Sequence, residues 1–229
     1  MKSYLTVLTT SLIVSLCGMT WGDVVIDEFD FGNSGGVPQS FTTVQTYRVF
    51  TSTDTSILAG VRKWQVDVTS HSISETEIFD VASGMYGIAN GFGQNANVSI
   101  RWDGQNNNLM SGGFANLDLT EGGVNSLFSL HVTSADVQTQ FEIVATDSNG
   151  SRSITKTGSG PGYHKFFFND FTGLDFTDIQ SLQLNVTGDS AYDVGINRLA
   201  VIAIPEPATT TFFTAVISSM LSMRRRRRI

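Results

Sequence analysis

The chain is short of cysteine, proline and histidine, and each shortage removes a class of explanation. Its one cysteine, Cys17, falls in an N-terminal segment with the layout of a leader, so the body holds no thiol for a disulfide, a thiolate metal site or a nucleophile. Stability must then come from the core. Four prolines in 229 residues, with 41% hydrophobic and 15% charged residues, fit one globular domain and exclude a collagenous or disordered chain. The three histidines, His71, His131 and His164, are the only side chains that ordinarily titrate near neutrality, and none sits in an H-E-x-x-H or G-x-S-x-G pattern. No window keeps a helical period, no gap is long enough for a β-α-β crossover, and no repeat or low-complexity linker precedes Pro205. Bases are scarce where they would matter for nucleic acid. Residues 23–203 carry eight bases against twenty acids, a net −12, which repels a phosphate backbone and excludes nucleic acid as a partner.

What is present at the two ends concerns compartment. Residues 1–22 have a single Lys at position 2, an apolar stretch from Tyr4 to Cys17 relieved only by Ser and Thr, and small residues at Thr20 and Gly22. That is the layout of a secretory signal peptide, and the acidic Asp23-Val24-Val25-Ile26-Asp27 that follows is no stop-transfer flank. An uncleaved anchor is the alternative. Leu16 before Cys17 disfavours lipidation. At the other end, Pro205-Glu206-Pro207 precedes a charge-free segment, residues 208–223, and the run Arg224, Arg225, Arg226, Arg227 and Arg228. As a helix this segment would reach about 24 Å, short of the roughly 30 Å hydrocarbon core, so it spans a thin bilayer with the arginines snorkelling. The positive-inside tendency keeps the arginines cytoplasmic and places the body outside. A surface helix or a nucleic-acid tail would not confine its bases to one end of a segment that is uncharged all round.

Those three parts, in that order, resemble the PEP-CTERM sorting signal of exosortase substrates. The resemblance implies recognition by a membrane-embedded exosortase, cleavage near Pro205, Glu206 and Pro207, a transient anchor in the inner membrane, and delivery to the envelope or extracellular matrix of a Gram-negative bacterium, usually one that makes exopolysaccharide. The segment departs from the family in its Ser and Thr content, from Thr209 to Ser222.

The body reads as short period-two alternation broken by Gly, Asn, Asp and Ser clusters. Strands are predicted at 24–31, 46–50, 63–70, 98–102, 127–133, 140–146, 151–157, 165–168, 181–186 and 194–203, with a tight Asn149-Gly150 turn between the sixth and seventh. The expected fold is all-β: a two-sheet antiparallel β-sandwich, jelly-roll-like, over residues 23–203, flanked by the signal peptide and a C-terminal transmembrane helix. Phe166, Phe167 and Phe168 cannot all point inward from one strand. The body also resembles an uncharacterised group of PEP-CTERM proteins with β-sandwich ectodomains, through Ile26-Asp27-Glu28-Phe29, Leu117-Asp118-Leu119-Thr120 with Gly122-Gly123, and Ala191-Tyr192-Asp193-Val194-Gly195-Ile196-Asn197. No activity comes with that resemblance.

No catalytic residue stands out. Acids abound, but a glycosidase or lyase needs two of them facing across a groove, which abundance does not supply. His71 and His131 read as solvated positions, and His164 has no partner in view. Calcium, the one cofactor the composition suits, would take Asp27 or Asp30 with Asp193, since first and last strands of a sandwich often neighbour. Asp147-Ser148-Asn149-Gly150 lacks the distal ligands of a calcium loop and reads as a turn. For sugar, Trp102 with Asp103 and Asn106 offers an aromatic face beside polar groups, although Trp102 alternates with Ile100 and Val98 as a core residue would. The leading reading is an exported, non-enzymatic envelope or matrix component with a structural or adhesive role. The alternative is a carbohydrate-binding module that engages exopolysaccharide, with or without calcium; a glycosidase or lyase is third.

Overall fold

The computed structural model describes residues 23–30, 39–41, 49–53, 56–70, 77–82, 84–91, 93–107 and 109–204. Among them the strands are β1 (Val24–Asp27), β2 (Gln39–Phe41), β3 (Val49–Thr53), β4 (Val61–Ser70), β5 (Glu77–Ala82), β6 (Met85–Ala89), β7 (Asn95–Trp102), β8 (Asn125–Ala135), β9 (Thr139–Asp147), β10 (Gly150–Gly158), β11 (Gly162–Phe167), β12 (Ser181–Gly188) and β13 (Asp193–Ala203). One sheet runs β11-β8-β13-β6-β5-β2, and β1 shares the β6 side of β13; the other runs β10-β9-β12-β7-β4-β3. From β6 onward every connection except the β9–β10 hairpin crosses between sheets, the winding of a jelly roll. The expected signal peptide and transmembrane helix, Pro205-Glu206-Pro207, the arginine run and His71 lie outside the described residues. Among the described residues no helix is long and apolar enough to cross a membrane.

Alternation produces the layers. Ala96, Val98, Ile100 and Trp102 of β7, Phe141, Ile143 and Ala145 of β9, and Leu182, Leu184 and Val186 of β12 are buried on one face of the second sheet. Phe128, Leu130 and Val132 of β8 meet them from the first. In β13 the period breaks: register shifts around Asn197 let Ile196 and Leu199, three residues apart, both stay in the core. A single alternating strand over 194–203 would have sent one of them to solvent.

Three local differences from the sequence reading have plain causes. The first strand stops at Asp27 rather than continuing to residue 31, because the Asp27 carboxylate accepts the Phe29 N–H at 2.8 Å and Phe29 turns at φ 55°. The hairpin turn sits one residue earlier than Asn-Gly. Gly150 pairs with Asp147, Asp147 Oδ1 accepts the Asn149 N–H at 2.7 Å, and Gly150 supplies the positive φ of 132°. Third, β11 begins at Gly162, so His164 lies on a strand and Phe168 leaves it. The three consecutive phenylalanines part as expected: Phe166 is buried, Phe167 is exposed, and Phe168 enters a short 3-10 turn to stack on Phe176 at 3.7 Å.

One glycine is required by a close approach. A Cβ on Gly188 would lie 2.5–2.8 Å from Tyr192 side-chain atoms. Tyr192 is fully buried and donates its hydroxyl to the Ala96 carbonyl at 2.6 Å, which fastens the β12–β13 connection to β7.

Candidate functional site

Trp102 offers no face to a sugar. The alternation that puts Ala96, Val98 and Ile100 inside carries it inside as well, with 0% exposure, and its indole Nε1 donates to Asp27 Oδ2 at 2.8 Å. Asp103 is equally buried: Oδ2 accepts from Lys63 Nζ at 2.7 Å and Arg101 Nε at 3.2 Å, and Oδ1 accepts the Gln105 N–H at 3.0 Å. Of that predicted trio only Asn106 is exposed. The polar side chains of 103–107 fasten a loop, and Trp102 and Asp103 are not the glycan contact that the sequence suggested, because both are buried.

The proposed calcium ligands do not converge. The first and last strands do pair, yet the register sets Asp27 opposite Leu199. Asp193 is six residues further along β13, roughly 20 Å away at a strand's rise. Asp27 is spent on Arg62, whose Nη1 donates to both carboxylate oxygens at 2.7 and 2.9 Å; burial raises its carboxyl above the ordinary range despite that cation and the Trp102 and Phe29 donors. Asp30 is exposed beside Gly84. Asp193 accepts the Asn90 N–H at 2.9 Å and is raised by partial burial and by Asp136. Among the described residues no group of three or more His, Cys, Asp or Glu side chains could hold a metal ion.

Other carboxylates close turns. Asp118 and Asp175 each accept the N–H and hydroxyl of the threonine two residues on, Thr120 and Thr177, at 2.6–2.9 Å, and these bonds hold both carboxyls below the ordinary range. Groups held ionised by their own turns are poor proton donors for glycoside cleavage. His164 is tucked against Phe141, ring centroids 4.8 Å apart, and is lowered by burial and by Lys156.

The surface that does present aromatic faces is the outer side of the first sheet, at its β11 edge. Along β11, Phe166 points into the core opposite Phe128, so Tyr163, Lys165 and Phe167 stand on the other side. Tyr163 is 65% exposed and Phe167 38%, while most other aromatics among the described residues are buried. Opposite them on β8 are His131, Ser129 and Leu127. The Tyr163 and His131 rings stack at 4.3 Å with 14° between planes, and His131 Nδ1 donates to Asn197 Oδ1 at 2.6 Å. That bond fixes the imidazole orientation and leaves Nε2 as the ring's remaining polar atom. Beyond His131, β13 contributes Arg198, which pairs with Asp23 at 3.0 Å. The result is a rigid aromatic stack with a free tyrosine face, flanked by an ammonium, an imidazole nitrogen and an amide. Sequence reading placed His131 on the polar side of its strand, as found, but began the neighbouring strand at Lys165 and so missed Tyr163. Gly162-Tyr163 ahead of an alternating run was the available signal.

Fold and site together define an all-β two-sheet sandwich with an aromatic patch on one outer face. The chain matches no protein-family model and no curated protein. Among solved structures it is similar to the family 11 carbohydrate-binding module of the cellulosomal cellulase Lic26A-Cel5E of Clostridium thermocellum, at 12% identity and a TM-score of 0.39, covering 83% of this chain and 99% of that one. The family 30 carbohydrate-binding module of the cellulosomal cellulase Cel9D-Cel44B of the same organism gives 10% identity, a TM-score of 0.38, and coverage of 81% and 99%. The agarase AgWH50C gives 12% identity and a TM-score of 0.40, covering 80% of this chain and 25% of the agarase. Similarities at this level assign no activity.

Proposed function

We propose that this chain is an exported, non-catalytic β-sandwich that holds polysaccharide on the outer face of its β11–β8 edge. The observation that carries the reading is the exposed Tyr163 ring, stacked on an oriented His131 and followed on the same face by Lys165 and Phe167. Pyranose rings present C–H faces that stack on aromatic planes, while their hydroxyls need donors and acceptors at the rim. Stacking Tyr163 on His131 limits its motion, so less ordering entropy is lost on binding. An adhesive role in the matrix follows from such binding, and exopolysaccharide is the natural polymer for a protein sorted through an exosortase.

Replacing Tyr163 with Ala should weaken polysaccharide binding about tenfold, about 1.4 kcal/mol. Affinity electrophoresis of the full chain in gels cast with soluble polysaccharides reads this directly. Melting temperature should stay within about 2 °C of wild type, because the side chain is two-thirds exposed. Retardation unchanged in Tyr163→Ala would remove the site.

The export part of the proposal is supported by the terminal segments of the sequence. Mass spectrometry of the protein from its host envelope should find a mature start at or near Asp23 and an end close to Pro205–Ala208. An intact cytoplasmic chain ending at Ile229 would overturn it.

A further inference from the structure

We infer that the polymer held at this face is anionic, a polysaccharide with carboxylate or other acidic groups recurring along its backbone. The inference rests on the glycan-binding reading and names the class of glycan. Its starting point is where an acidic protein keeps its few cations. Of the eight bases in residues 23–203, Arg62 and Lys63 are buried against Asp27 and Asp103, and Arg101 is also paired with Asp103. Arg48 lies outside the described residues. The remaining four are Arg152 and Lys156 on β10, Lys165 on β11 and Arg198 on β13. Strands β10 and β11 are the edges of their two sheets, and they lie on the same side of the sandwich, since His164 of β11 packs on Phe141 of β9 and against Gly158 of β10. Among the described residues Lys165 and Arg198 thus stand on the sheet that carries the aromatic patch, with Arg152 and Lys156 on the neighbouring β10 edge.

Lys165 is the sharpest of them. It is exposed, forms no ion pair among the described residues, and stands between Tyr163 and Phe167 on one face, roughly 7 Å from each along the strand. Its cross-strand neighbour is Ser129, a neutral residue. A lysine ammonium is a compact, strongly hydrated charge, and exchanging its water for a neutral hydroxyl gains little, whereas a carboxylate repays the exchange by direct attraction. On a body at −12 an acidic polymer is repelled nearly everywhere else, so one cationic strip would also fix where and how the polymer docks. Arg198, shared with Asp23, supplies a second cation one strand beyond His131.

The test compares one backbone with and without charge. Full-length protein, Tyr163→Ala and Lys165→Gln would be titrated with polygalacturonate and with the same polymer fully methyl-esterified, at 20 mM and 300 mM NaCl. Expected for wild type is at least tenfold tighter binding of the acidic polymer at low salt, shrinking severalfold at high salt. Lys165→Gln should lose most of that preference, while Tyr163→Ala loses binding of both polymers. Equal binding of the two polymers, abolished by Tyr163→Ala, would overturn the anionic inference and leave the glycan site standing. Binding of neither polymer by wild type overturns the site itself. Tight polyuronate binding that survives both substitutions places the contact elsewhere and overturns both claims.

Discussion

Asp27→Ala should lower the stability of the fold by about 3–5 kcal/mol, the cost of leaving a buried charge without its partner. Both side chains are fully buried, and the carboxylate accepts four bonds: two from Arg62 Nη1, one from the Trp102 indole at 2.8 Å and one from the Phe29 N–H at 2.8 Å. Arg62 belongs to β4 of the second sheet and Asp27 to β1 of the first, so the pair crosses the sandwich. The guanidinium also lies 5.4 Å from the Phe29 ring centroid. Removing the carboxylate strands the cation and the indole donor together. For a domain of this size the melting temperature should fall on the order of 10 °C. Urea titration should show a lower midpoint with an unchanged slope. The double variant Asp27→Leu with Arg62→Met should recover most of the loss, since a buried pair replaced by apolar groups of similar volume is often neutral. A double variant as unstable as Asp27→Ala would show that the stranded guanidinium is not the source.

Much of this fold was legible because it is periodic. The ten predicted strands correspond to β1, β3, β4 and β7 to β13; β2, β5 and β6 were missed. The β6 stretch, Met85-Tyr86-Gly87-Ile88-Ala89, alternates too, but Gly84 and Gly87 interrupt its apolar pattern. Motifs that looked suggestive in sequence turn out to shape backbone. Asp27-Glu28-Phe29 is a turn closed by its own aspartate, Asp118-Leu119-Thr120 another, and Ala191 takes φ 66° to deliver Tyr192 to the core. What stayed illegible was register. Tyr163 meets His131 from 32 residues away, and Asp27 meets Arg62 from 35. No local pattern encodes such pairs; they follow from which strand ends at which residue. The expectation that first and last strands neighbour was sound, yet a six-residue offset along β13 separated the aspartates it was meant to join.

Asp103→Ala should be comparably costly, about 3–5 kcal/mol, and should have a local signature that Asp27→Ala lacks. Lys63 and Arg101 stand directly opposite each other on the outer side of the second sheet, two cations that would repel. Asp103 Oδ2 accepts from both, and Lys63 Nζ, itself fully buried, also donates to Asn107 Oδ1 at 2.9 Å and to the Ser111 carbonyl at 3.1 Å. Arg101 Nη2 reaches the Gly112 carbonyl at 2.9 Å. The segments 103–107 and 109–113 are thus pinned over the cation pair by one carboxylate. Without it the buried Lys63 ammonium faces Arg101 with no carboxylate between them, and the loop loses its anchor. Limited proteolysis should cut within 105–113 at least tenfold faster in Asp103→Ala than in wild type, under conditions where both remain folded. Asp103→Asn, which keeps an acceptor, should fall between them. Polysaccharide retention should not change, because this loop covers the second sheet while Tyr163 stands on the opposite outer face of the sandwich. Retention that falls as the loop opens would move the glycan contact from Tyr163 to the corner around Asn106.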